Sequence, residues 1–282
     1  MKAYVRTSSQ DQNVELADMP IPEIAADEVL VSVQAFGVGI HDRFFIPADA
    51  KFPYTIGTEA SGIVTDRGRD VTRFNTRDRV MLTSVLQPKG GCWAEYVAVP
   101  QSRLIPLPAK MEFAAGAAIP IAGGTALASM RALDLSAGDT LFVAGASGAI
   151  GTLVIQLAAQ QGIHVAGSAS RKNHDYMLSL GAEKVVDYTE PNWKESIIHW
   201  QPGGVTAALA IQPGTVADSV DVVKDGGKVV TVSGDRAESK RNISVFQFQH
   251  QADPEQQALV KLVSDIATGR IRLIIEHVYP FE

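Results

Sequence analysis

Three glycines, Gly145, Gly148 and Gly151, stand at G-x-x-G-x-x-G spacing between an apolar run, Thr140-Leu-Phe-Val143, and an apolar-periodic stretch, Leu153-Val-Ile-Gln-Leu-Ala-Ala159. Read as strand, turn and helix, they form a variant of the dinucleotide-binding turn. A turn without bulky side chains lets the backbone around Ser147, Gly148, Ala149 and Ile150 approach a pyrophosphate. The helix N-terminus then adds about half a positive charge toward the anion. A tight strand-to-helix turn with no ligand would share this spacing, so the neighbouring residues decide. The next strand candidate, His164-Val-Ala-Gly167, runs into Ser168-Ala-Ser170-Arg171-Lys172. An acid at that point would hold the ribose hydroxyls of NAD, whereas the 2′-phosphate of NADP needs small donors and positive charge. No Asp or Glu is present. Ser168 and Ser170 can donate hydrogen bonds, Arg171 offers a forked charge-assisted partner, and Lys172 adds a second cation. The residues favour NADP (NADPH); the alternative is a solvated basic helix start.

The elements that must position this turn follow from the pattern. From Thr140 onward strands and helices alternate: the glycine turn, a helix over 152–161, the strand 164–167, a helix around Asn173 to Leu180, and strands at 184–186, 206–210 and 227–232. Such order implies a parallel sheet with helices on both faces, a doubly wound α/β domain. Before about Pro120 the chain instead has short alternating runs split by Gly, Pro and Asp: 28–35, 62–65, 79–83 and 93–99. These predict an irregular β-rich barrel. Two helical segments, 112–118 and 125–133, flank Pro120. The expected division is a first domain over 1–120, a nucleotide-binding domain over 121–255, and a C-terminal segment over 256–282 returning toward the first.

The 282 residues suffice for two domains with buried cores. Apolar residues at 46% and charged residues at 20% are ordinary for a soluble enzyme. A net charge of −6 with no basic block argues against nucleic acid as a partner. The single cysteine, Cys92, excludes an internal disulfide framework and any multi-cysteine zinc site, and reads as a packing residue. No N-terminal run has signal-peptide form and none approaches membrane-spanning length, so a cytoplasmic protein with no membrane association is expected.

Several motifs, in order along the chain, resemble the medium-chain dehydrogenase/reductase superfamily on its zinc-free quinone oxidoreductase side. Ile56-Gly-Thr-Glu-Ala-Ser-Gly-Ile-Val64 resembles the G-x-E-x-x-G-x-V signature, Arg77-Asp-Arg-Val80 the G-D-R-V, and Gly90-Gly-Cys-Trp-Ala-Glu-Tyr-Val97 the G-G-x-A-E-Y. Gly123-Gly-Thr-Ala126 resembles the small-residue turn before the nucleotide domain, and Leu180-Gly-Ala182 and Val186-Asp-Tyr188 its L-G-A and V-x-x-Y. The resemblance implies a GroES-like domain plus a Rossmann domain with the active site in the cleft between them. It places the nicotinamide near Thr125 and the segment Gly37 to Phe45. It sets Tyr188 and Ser168 at the adenosine phosphate end and Ser233 near the nicotinamide ribose. A homodimer or homotetramer is implied.

Zinc-dependent relatives take ligands from a cysteine and a histidine whose positions here are Gly39 and Thr58, neither a usual zinc ligand. No metal is therefore expected. The remaining chemistry is hydride transfer, mostly proximity and orientation, with donors to stabilise developing oxyanion charge and a proton source. His41 falls where zinc-dependent relatives place a proton-relay hydroxyl and is the candidate catalytic donor; a histidine satisfied by a carbonyl or by Asp42 is the structural alternative. Asp42 and Glu59 read as groups that hold loops.

The departures from the family concern substrate. Gly39 and Phe44 stand where quinone oxidoreductases carry Asn and Tyr, and Arg77 replaces a glycine. No acid lies in Thr206-Ala-Ala-Leu-Ala-Ile211, and the chain stops at Val278-Tyr-Pro-Phe-Glu282, where relatives continue. Phe44-Phe45-Ile46 suits a hydrophobic small molecule. The leading expectation is an NADPH-dependent, zinc-independent reductase of quinones or α,β-unsaturated carbonyls. Two readings stay open beside it: an aldehyde/ketone reductase, and a catalytically silent NADPH-binding redox sensor or structural protein.

Overall fold

A computed structural model describes residues 1–10, 13–238, 240–249 and 252–281, with nothing taken from the side chains of residue 43 or residues 252–255. The chain divides into two compact units, Met1–Ile121 with Ile275–Glu282, and Ala122–Ile274. Residue 282 lies outside the described residues.

The first unit holds β1 (Lys2–Arg6), β2 (Glu15–Asp18), β3 (Glu28–Phe36), β4 (Tyr54–Thr55), β5 (Glu59–Arg67), β6 (Arg79–Thr83), β7 (Tyr96–Pro100), β8 (Leu104–Pro106) and a short helix α1 (Phe113–Ala117). Its strands form an antiparallel five-stranded sheet of order β7-β3-β5-β6-β8 and a three-stranded sheet β2-β1-β4. Alternation sets the inward face: Val29 and Val31 of β3 meet Ala60 and Val64 of β5, Val80 and Leu82 of β6, and Val97 and Val99 of β7. The run expected as one strand over 93–99 is split between the sheets. Ala94 bridges to Ala3 of β1, while 96–100 pair with β3, so the alternating pattern continues across a corner. The segment 275–281 closes on this unit. The Tyr4 hydroxyl donates to the Phe281 carbonyl at 2.7 Å, and the Phe281 ring meets Tyr4 and Phe36 edge-on.

Arg77 adopts a left-handed backbone, φ 76°, ahead of β6. A side chain there costs about 1 kcal/mol or more in local strain, offset in a glycine by the entropy of the unfolded chain. Arg77→Gly is expected to stabilise the protein by about 0.5–1 kcal/mol, read from chemical unfolding midpoints. An unchanged or lowered midpoint would mean that the arginine side chain itself contributes packing there.

The second unit holds α2 from residue 122 (Pro120–Leu133), β9 (Thr140–Ala144), α3 (Ala149–Gln160), β10 (His164–Ser168), α4 (His174–Ser179), β11 (Lys184–Val186), α5 (Trp193–Trp200), β12 (Val205–Ala210), α6 (Val216–Val222), β13 (Val223–Thr231), β14 (Ser244–Gln247) and α7 (Ala252–Ala267). The sheet order is β11-β10-β9-β12-β13-β14, parallel throughout. All five residues of β9 are buried, as a strand covered on both faces requires. Phe142 of β9 stacks on Trp193 of α5 at 5.4 Å. Among the described residues no helix is long and apolar enough to cross a membrane.

Two readings are corrected here. Gly123-Gly-Thr-Ala126 is not a turn: it lies within α2, whose proline at the first position has a fixed φ suited to starting a helix. The helix after the glycine turn begins at Ala149, three residues before the expected start, so Gly151 sits inside its first turn.

Candidate active site

The chain runs outward from β9 to β10 and β11, then returns to place β12 on the other side of β9. That reversal makes a topological switch point, and the crevice beyond the carboxyl ends of the strands there is where doubly wound sheets bind ligands. The glycine turn leaves β9 at this point. Ile211, just past β12, donates its N–H to the Ala144 carbonyl at 3.2 Å, fastening the two strand ends together.

The three glycines have separate reasons to lack a side chain. Gly145 has φ +87°, and a Cβ there would lie 2.9 Å from Gln212 Cγ. A Cβ at Gly151 would lie 2.6 Å from the carbonyl oxygens of Gly145 and Ala146, so only glycine lets the first turn of α3 close on β9. Gly148 is different. It is the N-cap of α3 with φ −78° and ψ 172°, a conformation any residue adopts, and a Cβ would meet only the Gly145 oxygen at 3.6 Å. The protein leaves that space open at a helix N-terminus, where unpaired N–H groups can receive an anion. The turn therefore fits a pyrophosphate.

Other expected contacts gather along the same edge. Ser168 pairs with Val186 across β10 and β11, which brings the ends Ser170-Arg171-Lys172 and Asp187-Tyr188 side by side. Ser168 is buried, Ser147 and Ser170 are half-buried, and Arg171, Lys172 and Tyr188 are exposed. Ser233 follows β13, with its hydroxyl 3.4 Å from Thr231 Oγ1. Ala149 and Ile150 open α3. Thr125 is buried in α2, away from the strand-end edge in sequence and element.

Asp187 was not foreseen. Its Oδ1 accepts the N–H and hydroxyl of Thr189 at 3.0 and 2.7 Å. These bonds hold the carboxyl below the usual range, with smaller contributions from the Arg171 backbone N–H and the charge of His174. The end of β10 has no acid, yet the neighbouring strand supplies one. His174, whose Nε2 lies 3.1 Å from the Ala169 carbonyl, was also missed. The V-x-x-Y match already contained Asp187; only strand pairing shows that it adjoins Arg171.

In the first unit, His41 and Asp42 lie in a 3₁₀ turn after β3. Asp42 is buried, and its two oxygens accept from Gly39 N–H at 2.7 Å and Thr58 Oγ1 at 2.7 Å. His41 Nε2 lies 3.0 Å from the same Thr58 hydroxyl. Glu59, the next residue, is buried and accepts the Ile121 N–H at 2.8 Å. Burial pushes its carboxyl up to about 8, with the charge of Asp42 adding to the rise and the Ile121 bond opposing it. Cys92 is fully buried in the β-sheet core, and burial raises its thiol far above the ordinary value. The turn carries an apolar edge, with Ile40 83%, Phe44 70% and Phe45 44% exposed.

These residues do not fit a zinc ion. The space a side chain at Gly39 would fill is taken by the His41 imidazole, whose Cε1, Nδ1 and Nε2 lie 2.3, 2.8 and 3.0 Å from the Cβ position. Thr58 directs its single proton at Asp42. Among the described residues no three His, Cys, Asp or Glu side chains converge as a metal site requires.

Residues 25–109 match the family described as alcohol dehydrogenase GroES-like domain, and residues 149–258 the family described as zinc-binding dehydrogenase. The chain belongs to the medium-chain dehydrogenase/reductase superfamily, in its quinone-oxidoreductase-like branch. It is 28% identical to a quinone oxidoreductase of Sus scrofa over 94% of this chain and 85% of that protein. It is 29% identical to the chloroplastic NADPH-dependent alkenal/one oxidoreductase of Arabidopsis thaliana over 94% of this chain and 68% of that protein. The solved quinone oxidoreductase of Coxiella burnetii superposes with a TM-score of 0.86 at 27% identity, covering all of this chain and 92% of that one. The first unit is accordingly the GroES-like domain and the second the Rossmann domain.

Proposed function

We propose that this chain is an NADPH-dependent, zinc-independent oxidoreductase that reduces a quinone or an α,β-unsaturated carbonyl. The observation that carries the reading is the switch-point turn, with glycine at 148 where the protein itself would admit a side chain. The nicotinamide, once bound, supplies the hydride. The chain's part is to hold and orient. Backbone amides of 147–150 receive the pyrophosphate, Ser168, Ser170, Arg171, Lys172 and Tyr188 form the adenosine phosphate end, and Thr125 and Ser233 serve the nicotinamide end. The exposed Ile40, Phe44 and Phe45 edge suits a flat, apolar acceptor, and the names of the pig and Arabidopsis relatives point to the same class. Zinc independence rests on the glycine at 39 and on the engaged hydroxyl at 58.

Asp187 opposes a 2′-phosphate while Arg171 and Lys172 favour it, so the preference is a balance of charges at one strand end. Arg171→Ala is expected to weaken NADPH about tenfold and leave NADH unchanged, in line with the loss of one charge-assisted bond. Asp187→Asn is expected to widen the preference. Fluorescence titrations check both, and equal affinities of the unmodified protein for the two cofactors would refute the NADPH reading.

The activity test follows NADPH oxidation against a panel of quinones, enones and simple aldehydes. Turnover is expected with the first two groups. Bound cofactor with silence across the whole panel would identify a non-catalytic nucleotide-binding protein instead, and turnover of aldehydes alone a carbonyl reductase.

A further inference from the structure

The Gly39–His41–Asp42–Thr58 cluster has a proton order that can be worked out atom by atom. A threonine hydroxyl has one proton and two acceptor lone pairs. Thr58 gives its proton to Asp42 Oδ1, and the other oxygen of Asp42 is occupied by the Gly39 N–H. At 3.0 Å from Thr58 Oγ1, His41 Nε2 must then be the donor of that contact. The Nε2 proton is thereby fixed inside the fold, and Nδ1 becomes the working nitrogen; it makes no hydrogen bond among the described residues. A hydroxyl thus stands between imidazole and buried carboxylate and orients the ring through it.

Gly39 makes this arrangement possible. Its φ of −127° and ψ of 156° are open to any residue, so the backbone does not demand glycine. The imidazole does, because even a methyl group at 39 would collide with three of its ring atoms. The ring is otherwise held by an edge contact with Phe45 at 6.0 Å. Asp42 is the ionisable group tied to it, and Glu59 lies next to Thr58 in sequence.

We propose that His41 delivers the proton that completes reduction, from Nδ1, with Thr58 and Asp42 as positioning residues and Gly39 as the residue that admits the ring. The proposal rests on the reductase reading above. Hydride addition brings two electrons and one hydrogen to the acceptor and leaves negative charge on its oxygen. His41 enters the step carrying a proton on each nitrogen: its Nδ1–H bond breaks, an O–H bond forms on the hydroquinone anion or on the enolate, whose enol then tautomerises to the ketone, and His41 is left neutral with its other proton on Nε2 until solvent water reprotonates it. Electrons and protons balance with the nicotinamide as the sole reductant.

Two measurements on the full chain decide it. Imidazole ¹⁵N NMR of the neutral His41 ring is expected to show the Nε2–H tautomer in the unmodified protein and in Thr58→Ser, and a mixture in Thr58→Val. Kinetics with an enone are expected to show kcat lowered about 10- to 100-fold in His41→Gln, Thr58→Val and Gly39→Ala, with cofactor affinity unchanged and Thr58→Ser restoring the rate. Active protein with the Nδ1–H tautomer, or with full kcat in both His41→Gln and Thr58→Val, overturns the relay alone. A protein with the Nε2–H tautomer but no turnover of any quinone or enone overturns the reductase reading and the delivery step with it.

Discussion

Gly148→Ala is expected to keep the fold and to lose the cofactor. The new methyl group would meet no protein atom closer than 3.6 Å, and the N-cap backbone already has dihedrals that alanine adopts. Exchanging glycine for alanine at an N-cap costs at most about 1 kcal/mol. The same methyl group would occupy the space through which a pyrophosphate reaches the amides, and a loss of about 2–3 kcal/mol there corresponds to roughly a 30- to 150-fold weaker dissociation constant. Gly151→Ala is the control with the opposite signature. Its methyl group would press on two backbone carbonyls at 2.6 Å, so stability should fall by about 1–3 kcal/mol. Thermal unfolding and NADPH fluorescence titration separate the two. Wild-type affinity in Gly148→Ala would mean that the turn does not receive the pyrophosphate.

That contrast also shows what the residues disclosed on their own. The G-x-x-G-x-x-G spacing marked the turn, since a buried five-residue strand and an apolar-periodic helix both leave local signatures. Which glycine serves the fold and which serves a ligand depends on atoms far along the chain, such as Gln212 beside Gly145. Asp187 was hidden for the same reason: 16 positions separate it from Arg171, and only the β10–β11 register brings them together. Helix α6 was overlooked because Val216-Ala-Asp-Ser-Val-Asp-Val222 is rich in β-branched residues, yet Val216, Ser219 and Val220 fall on one buried helical face. At His41 the sequence located the residue, while its tautomer needed the positions of Thr58 and Asp42.

Stability of Glu59→Gln relative to the parent protein is expected to rise with pH, reaching about 5 kcal/mol by pH 8.5 as an upper bound. Glu59 is held near 8 in the folded protein by burial, against an ordinary value of 4.5. The native state therefore keeps a proton that the unfolded chain has already released. Its stabilising effect is complete below about 4.5 and is lost as pH climbs to about 8, with a slope of up to about 1.4 kcal/mol per unit. Glutamine is neutral at every pH and retains an oxygen for the Ile121 N–H, so the variant escapes this loss. Asp42 contributes a change of the same sign, since burial raises it too, and because its charge adds to the rise at Glu59 the difference between the two proteins includes that coupling. Glu59→Ala separates charge from contact: it removes the acceptor at the start of α2 and should be less stable than glutamine throughout, by about 1–3 kcal/mol. Urea unfolding at pH 5 and 8.5 reads both effects. Parallel curves for Glu59→Gln and the parent would show that Glu59 is ionised in the fold, with the Ile121 N–H and local water compensating its charge.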